Sequence, residues 1–256
     1  MAWTRRYDEP EPQRVNRWLA QSGVCSRREA EALIAAGLVS IDGETVADAG
    51  RKIAPGQTLT LADAAGARLE QALTVVLHKP IGVVSANPDP GQTAGVDLLT
   101  REALQGESPV IPDVDTRLAP VGRLDRDSRG LLILSEDGVV AKAVIGPASE
   151  LDKEYRVRVE GLIDERKLGL LRSGLYLDGR RLKRAEVEVI GTQRLKIVLN
   201  EGRNRQIRRM AELVDLEVID LVRVRVGPLR LGDLAEGRWR VLTADERRTL
   251  IEASGG

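Results

Sequence analysis

Three segments of the chain carry side chains whose types and spacing suit chemistry or anion binding. The first, Gly122 to Gly130, combines two glycines, three arginines and the acids Asp125 and Asp127 between two apolar, strand-like runs. Taken alone, such a segment is typical of a solvated turn. A carboxylate held at a strand end beside arginines, however, stays ionised and can act as a nucleophile. This position favours Asp125 as a functional acid, with Asp127 as its nearest rival.

The second segment, 199–210, has the pattern of a strand, a glycine turn and an arginine-dense helix start. From Arg203 to Met210 there are four arginines and no acid. Basic residues oppose the helix dipole at an N-terminus, and Asn204 and Gln206 add amides that can read bases. Glu201 alone cannot neutralise four arginines. An anionic partner resolves this conflict, so the segment favours nucleic-acid binding over a solvated helix face.

The third segment, 151–157, places Tyr155 at the start of a strand in a chain with no Phe, three Tyr and three Trp. A strand tyrosine usually packs against neighbouring strands, but its ring also suits stacking on an extruded base. The single histidine, His78, and the single cysteine, Cys25, are both expected to be structural. A lone cysteine excludes an intramolecular disulfide and a cysteine-built metal site.

Total charge does not predict a polyanionic partner, because 39 basic residues balance 39 acidic ones. The distribution does, since the stretch from Arg14 to Arg28 again holds four arginines and no acid. The chain has no glycine-rich dinucleotide motif, no phosphate loop and no metal-ligand cluster, so we expect neither cofactor nor metal. It also lacks a secretory h-region and an apolar run of about 20 residues, and we expect a cytoplasmic protein.

The elements that must position these segments fall into two units. Residues 14–61 have the pattern of two helices followed by a hairpin, with Ser26 to Glu29 forming a capping box at the second helix. Residues 62–71 are small and polar, as expected of a linker. Residues 72–253 mix strand-like runs with helices expected near 96–104, 139–145, 164–171 and 204–213. This irregular order predicts an α+β fold whose larger domain has a mixed, mainly antiparallel sheet.

Together the three segments resemble a known family. Three stretches match, in order and approximate spacing, the signature segments of the RsuA/RluB/RluE/RluF group of ribosomal RNA pseudouridine synthases: GRLDRDSRGLLILSEDG, LDKEYRVRV and LNEGRNRQIRRM. The unit 14–61 is similar to the RNA-binding module, named after a small-subunit ribosomal protein, that this group carries. The resemblance covers almost the whole chain and is strongest to the RluF branch. It implies an isomerase that cleaves the glycosidic bond of uridine and rejoins the base through a ring carbon.

The resemblance also implies site residues. Asp125 matches the family's catalytic aspartate, Tyr155 its active-site tyrosine and Arg208 the arginine of its Arg-Gln-Ile-Arg segment. We expect Arg208 to pair with Asp125 and Tyr155 to stack on the flipped uracil. Two roles stay open for Asp125, which are covalent attack on the ribose carbon and removal of a ribose proton.

Binding of the RNA is expected to rest on basic and amide side chains from four parts of the chain. These are Arg14, Asn16, Arg17, Arg27, Arg28, Arg123, Arg126, Lys153, Arg203, Asn204, Arg205 and Gln206. The expected partner is structured RNA, with 23S ribosomal RNA or a ribosomal precursor particle favoured, and the expected state is a monomer. Two other functions remain open: a non-catalytic RNA-binding assembly factor with the same fold, and another enzyme of RNA such as a nuclease or methyltransferase.

Overall fold

The computed structural model describes residues 3–70, 72–113, 116 and 118–255. The small N-terminal module is built from six short strands and two helices. The strands are β1 (Trp3–Arg6), β2 (Gln13–Arg14), β3 (Val39–Ile41), β4 (Glu44–Thr45), β5 (Lys52–Ile53) and β6 (Thr58–Leu61). The helices are α1 (Val15–Gln21) and α2 (Arg27–Ala35). Four strands form one sheet in the order β1-β6-β3-β4, while β2 pairs with β5.

The predicted capping box at the start of α2 is confirmed. Ser26 Oγ accepts from the Glu29 main-chain N–H at 3.2 Å, and the Glu29 carboxylate accepts from the Ser26 N–H at 2.6 Å. The two helices and the sheet enclose a separate hydrophobic core that includes Leu19, Leu33 and Cys25. Burial raises the pKa of the Cys25 thiol to about 12, which agrees with the structural role expected for this residue.

The segment expected to be a linker is helical over most of its length. Helix α3 (Asp63–Glu70) follows β6 directly, and Ala65 is buried in the core of the small module. Its composition explains the difference, because alanine, leucine, arginine and glutamate are good helix formers as well as common linker residues. Gln71, the last residue of the expected linker, lies outside the described residues.

The larger domain contains eleven of the labelled strands and four helices. Its strands are β7 (Thr74–Lys79), β8 (Ala119–Val121), β9 (Arg129–Ser135), β10 (Lys153–Glu160), β11 (Tyr176–Leu177), β12 (Arg180–Arg181), β13 (Glu186–Gly191), β14 (Arg194–Leu199), β15 (Glu217–Val226), β16 (Leu229–Arg230) and β17 (Trp239–Val241). Its helices are α4 (Gly138–Ile145), α5 (Glu165–Arg172), α6 (Gln206–Glu212) and α7 (Ala244–Glu252).

The expected mixed, mainly antiparallel sheet is confirmed. Its order is β13-β14-β10-β15-β9-β7-β17, with β16 added to β15 and β8 added to β9. Every pair is antiparallel except β9 with β15, which run parallel with Arg223 opposite Gly130. Two hydrophobic clusters, one around Trp239 and Leu132 and the other around Ile133 and Leu250, cover the sheet.

Two expected elements are absent or shorter than predicted within the described part of the domain. The apolar spacing at 96–104 gives only a short 3-10 helix, Gly95–Leu98, followed by turns. The adjacent valines at 83–84 have the residue type of a strand, but they contribute only a single bridge, Val84 to Ala94. Both segments have irregular backbone but still pack apolar side chains into the core. The spacing of apolar residues alone cannot distinguish such a segment from a regular helix or strand.

The two units meet at the N-termini of α2 and α4. The second oxygen of the Glu29 carboxylate accepts from the Gly138 N–H at 3.3 Å, so one side chain serves both helix starts. A Cβ atom at position 138 would lie 2.0 Å from Ser26 Cβ. This close approach requires glycine at 138.

Candidate active site

The three segments singled out by sequence converge on one cleft in the larger domain. The cleft has a volume of about 620 Å³ and opens at the C-terminal ends of β8 and β14 and at the N-terminal starts of β10 and α6. Asp125, Tyr155 and Arg208 all line it. Segments more than 80 residues apart in sequence therefore contribute to a single site, as expected.

Asp125 lies in the loop between β8 and β9. The loop turns back on itself after Asp125, because the Ser128 N–H donates to the Asp125 carbonyl at 3.1 Å. About a third of the Asp125 side chain, 34%, is exposed to the cleft. The nearest cation within the described residues is Arg205, whose Nη1 lies 4.0 Å from Asp125 Oδ2. The carboxylate thus combines access to the cleft with a neighbouring positive charge.

Buried polar side chains hold both ends of this loop. Ser85 Oγ donates to the Leu124 carbonyl at 2.7 Å and accepts from the Leu124 N–H at 2.9 Å. The Arg223 guanidinium, only 3% exposed, donates to the carbonyls of Arg123 at 3.2 Å and Leu131 at 2.8 Å. Because buried polar groups are costly to leave unpaired, these bonds fix the backbone on both sides of Asp125.

The expected pairing of Arg208 with Asp125 is wrong. Arg208 Nε lies 3.3 Å from Asp127 Oδ2, and its Nη2 donates to the Asp127 carbonyl at 2.8 Å. Its Nη1 donates to the carbonyl of Val218 at 3.0 Å. The turn after Asp125 is the reason, because it presents Asp127 instead of Asp125 to helix α6. Arg208 therefore stabilises the loop through its contacts with Asp127 and does not pair with Asp125.

Of the two acids in this loop, Asp127 is the one that the arginines bond. Arg205 donates to both of its carboxylate oxygens, at 3.2 and 2.8 Å. Partial burial acts against ionisation of Asp127, but these hydrogen bonds and the charge of Arg208 outweigh it and hold the pKa of the carboxyl below its usual value. Asp127 is thus engaged as an anchor for two arginines, whereas Asp125 is left facing the cleft.

Tyr155 forms part of the cleft wall. It lies near the start of β10, opposite Arg223 of β15 and Ile197 of β14, and is 9% exposed. Its side chain therefore belongs to the hydrophobic core while part of it borders the cleft. Lys153, two residues earlier, also borders the cleft, and burial together with the charge of Arg223 lowers the pKa of its amine.

Several predicted RNA-binding side chains are engaged within the protein. Asn16 is buried and donates to Glu31, and Gln206 is buried between the Arg203 N–H and Glu201. The Arg203 guanidinium donates to three main-chain carbonyls. Seven others are exposed: Arg14, Arg17, Arg27, Arg28, Arg123, Arg126 and Asn204. Arg205 is also exposed at the cleft, although it bonds Asp127.

Sequence reasoning missed three side chains that shape the site: Ser85, Arg223 and Lys79. None belongs to the three motif segments, and a single serine, arginine or lysine in an apolar run carries no pattern of its own. The Lys-Pro pair at 79–80 was the only available signal. His78, beside it, is buried with Nδ1 2.7 Å from the Leu234 carbonyl, as a structural role predicts.

Lys79 is fully buried, and its Nζ donates to the carbonyls of Pro80 at 2.8 Å and Val83 at 2.7 Å. Burial lowers its pKa from 10.5 to about 8, although Asp127 and Asp125 act in the opposite direction. The folded-state pKa lies below the unfolded value, so between these two values the unfolded chain holds more protons. The stability contributed by this group therefore rises with pH across that window.

We expect the wild-type protein to gain stability relative to Lys79→Met as the pH rises. The free energy of unfolding of wild type minus that of the variant should increase by about 3 kcal/mol between pH 7.5 and 10.5. Urea titrations at each pH measure it, and the Met variant removes the titrating amine while keeping the chain length. Parallel pH profiles for the two proteins would contradict the expectation.

Comparison with known proteins decides the family. A family model described as RNA pseudouridylate synthase matches residues 73–213, and one described as an S4 domain matches residues 13–59. The chain belongs to the RNA pseudouridylate synthase family. The synthase matches this model over all three motif segments, and the resemblance inferred from those segments is confirmed.

Relatives match over nearly the full length of the synthase. It is 33% identical to the ribosomal large subunit pseudouridine synthase B of Bacillus subtilis over 93% of its own chain and 95% of that protein. It is 32% identical to the dual-specificity RNA pseudouridine synthase RluF of Escherichia coli K12, over 91% and 76%. A crystal structure of a pseudouridylate synthase superposes with a TM-score of 0.63 at 25% identity, covering 93% and 99% of the two chains.

These matches make the synthase an isomerase with an RNA-binding module at its N-terminal side. They bear out the α+β fold and the enzyme class predicted from sequence. Within the described residues, no helix has the length and apolar character needed to cross a membrane.

Proposed function

We propose that the synthase converts a specific uridine of ribosomal RNA, in the large subunit, to pseudouridine, with Asp125 as its catalytic carboxylate. Relatives named for large-subunit ribosomal RNA and for dual RNA specificity support the substrate class. The observation that carries the assignment of Asp125 is its position, exposed in the cleft on a loop held at both ends, with Tyr155 and Arg205 beside it.

The reaction breaks a glycosidic bond and re-forms a carbon link, so its transition state resembles that of glycoside hydrolysis. A nearby carboxylate stabilises such an oxocarbenium-like state. Asp125 can fill this role either by attacking the ribose carbon or by removing a ribose proton. The uracil is retained and water is excluded, so no second carboxylate is needed to activate water and one suffices. The apolar wall beside Tyr155 suits a bound base.

Arg208 and Arg205 are positioning residues in this proposal. Arg208 fixes the backbone at Asp127, two residues after the catalytic acid, while Arg205 bonds the Asp127 carboxylate and lies 4.0 Å from Asp125. The network therefore orients Asp125 indirectly. Tyr155 stacks on the extruded uracil and can assist removal of the proton that leaves the new carbon-linked ring.

The uridine must leave its stack before it reaches Asp125, at a cost of a few kcal/mol. Exposed arginines near the cleft and on the small module supply this energy through phosphate contacts. We propose Arg14, Arg17, Arg27, Arg28, Arg123, Arg126, Lys153, Asn204 and Arg205 as contacts. Asn16, Arg203 and Gln206, whose side chains are engaged internally, support the surface instead.

The division of labour follows the two units. We assign RNA capture to residues 14–61, connection to 62–71 and chemistry to 72–253, in a monomeric protein of the cytoplasm. The alternative is a non-catalytic assembly factor that binds the same RNA. The exposed carboxylate of Asp125 favours the enzyme, because a purely binding surface gains nothing from an acid facing a polyanion.

The test is release of tritium from carbon 5 of uridine in ribosomal RNA transcribed without modifications. We expect the wild-type protein to release label from the large-subunit transcript and the product to map to a defined uridine. Small-subunit and transfer RNA transcripts serve as comparisons. Tight binding without label release from any transcript would favour the assembly factor.

A further inference from the structure

Residues 176–184 form a basic hairpin outside the motif segments. Strands β11 and β12 pair only with each other, and the hairpin carries Arg180, Arg181, Lys183 and Arg184. All four side chains are exposed, and none makes a hydrogen bond or ion pair with another side chain in the described part of the protein. The only acid of the hairpin, Asp178, is paired with Arg209 at 2.6 Å. The hairpin therefore presents four uncompensated positive charges.

The hairpin is fixed to the wall of the cleft. The Arg203 guanidinium donates to the carbonyls of Leu177 at 3.0 Å, Arg180 at 3.3 Å and Arg181 at 2.9 Å. Glu201 accepts from the Lys183 N–H at 2.9 Å. Arg203 and Glu201 themselves line the cleft, so the same short segment borders the cleft and holds the hairpin.

Tyr176 adds a feature that charge alone does not explain. Its side chain is 59% exposed, whereas the other five aromatic residues of the chain are buried or half-buried. An exposed ring beside unpaired cations is the combination with which proteins bind unpaired nucleic-acid strands, because cations follow the backbone and rings stack on bases. The cations alone would be enough to bind an acidic protein, so the exposed ring favours an RNA partner.

We propose that the basic hairpin is a second RNA-binding surface, which holds a stretch of the substrate RNA that continues beyond the cleft. Its arginines and lysine contact phosphates, and Tyr176 stacks on an unpaired base. This inference rests on the proposed RNA substrate, and it adds a binding surface separate from both the cleft and the small module.

The first test compares the double variant Arg181→Ala/Arg184→Ala with the matched control Arg101→Ala/Arg230→Ala. Both remove two exposed arginines, and the control pair lies outside the lining of the cleft. The probe is an unmodified large-subunit ribosomal RNA transcript, titrated from 50 to 300 mM KCl. Each lost phosphate contact lowers the slope of log K against log salt by about 0.7 to 0.9, so we expect a decrease of about 1.4 to 1.8. The control should keep the wild-type slope.

The second test separates stacking from charge. Tyr176→Ala is expected to weaken binding of the transcript at least fivefold, which is the lower end of the loss on removing a stacking side chain. Tyr176→Phe keeps the ring and should bind within twofold of wild type. In turnover, the hairpin variants should raise KM while kcat changes less than twofold, because the side chains do not reach the cleft.

Equal affinities and salt slopes for the hairpin and control variants would overturn the inference. This outcome is distinct from failure of the proposed function. If the wild-type protein binds the transcript but forms no pseudouridine, the enzymatic proposal fails while the binding comparison still decides the role of the hairpin. Thermal melting by circular dichroism checks that each variant folds.

Discussion

Replacing Asp125 by asparagine is expected to reduce pseudouridine formation by at least about 10³-fold while changing RNA affinity less than threefold. Asparagine has nearly the same shape but is neither a nucleophile nor a base, and a positioned acid or base alone contributes about 10² to 10⁴ in rate. The affinity should persist because we assign the phosphate contacts to the exposed arginines and not to this acid. Single-turnover label release and a filter-binding titration measure the two quantities separately.

Asp127→Asn is the matched control for this prediction, because it makes the same chemical change two residues away in the same loop. Asp127 bonds Arg205 and Arg208 and does not present a free carboxylate. We expect a smaller loss of turnover together with lower stability, since removing one partner leaves the arginines underpaired. If Asp127→Asn abolished turnover and Asp125→Asn retained it, the assignment of the catalytic acid would be reversed. Equal losses of affinity and turnover in Asp125→Asn would mean a binding or folding role.

Replacing Gly130 by alanine is expected to lower the free energy of unfolding by roughly 3 to 5 kcal/mol. Gly130 is the second residue of β9 and has φ +110°, and an added Cβ would lie 2.3 Å from the carbonyl oxygen of Arg223 and 2.6 Å from the main-chain nitrogen of Arg223. Backbone atoms of a paired strand cannot move aside as a flexible side chain can. The parallel contact of β9 with β15, and with it the Arg223 bond to the loop of Asp125, should be lost. Urea unfolding measures the stability, and turnover should fall with it.

Gly174→Ala separates the clash from the backbone strain. Gly174 has φ +112°, nearly the same as Gly130, but an added Cβ would meet nothing within 4 Å. The control should therefore cost only the strain of a left-handed residue, about 1 to 3 kcal/mol. If both glycine variants lost the same stability, close packing of the two strands would not explain the requirement for glycine at 130.

The motif segments were predictable because their residue types conflict with ordinary structure. Four arginines at a helix start and a rare tyrosine on a strand both predict a site, and the structure brings these segments to one cleft. The capping box at Ser26 and the mixed sheet followed from local rules. These features depend on short-range patterns, which a single sequence displays directly.

The parts that could not be predicted depend on contacts between distant segments. The pairing of Arg208 with Asp127 instead of Asp125 is decided by one turn of the loop, which composition does not show. Arg223 has no sequence pattern that sets it apart from other strand residues. Only when β15 is placed beside β9 does its guanidinium reach one carbonyl of the loop, that of Arg123, and one of β9, that of Leu131. The basic hairpin was missed because two-residue strands leave almost no periodic signal.

The parallel contact between β9 and β15 has a consequence for the order in which the protein becomes active during synthesis. Arg223 bonds the carbonyl of Arg123, 100 residues earlier in the chain, and opposes Gly130 in the sheet. The loop of Asp125 thus leaves the ribosome well before the strand that secures it, at about 5 to 20 residues per second. The small module, whose contacts are local, can fold first. A nascent chain therefore becomes able to hold RNA several seconds before it becomes able to modify it.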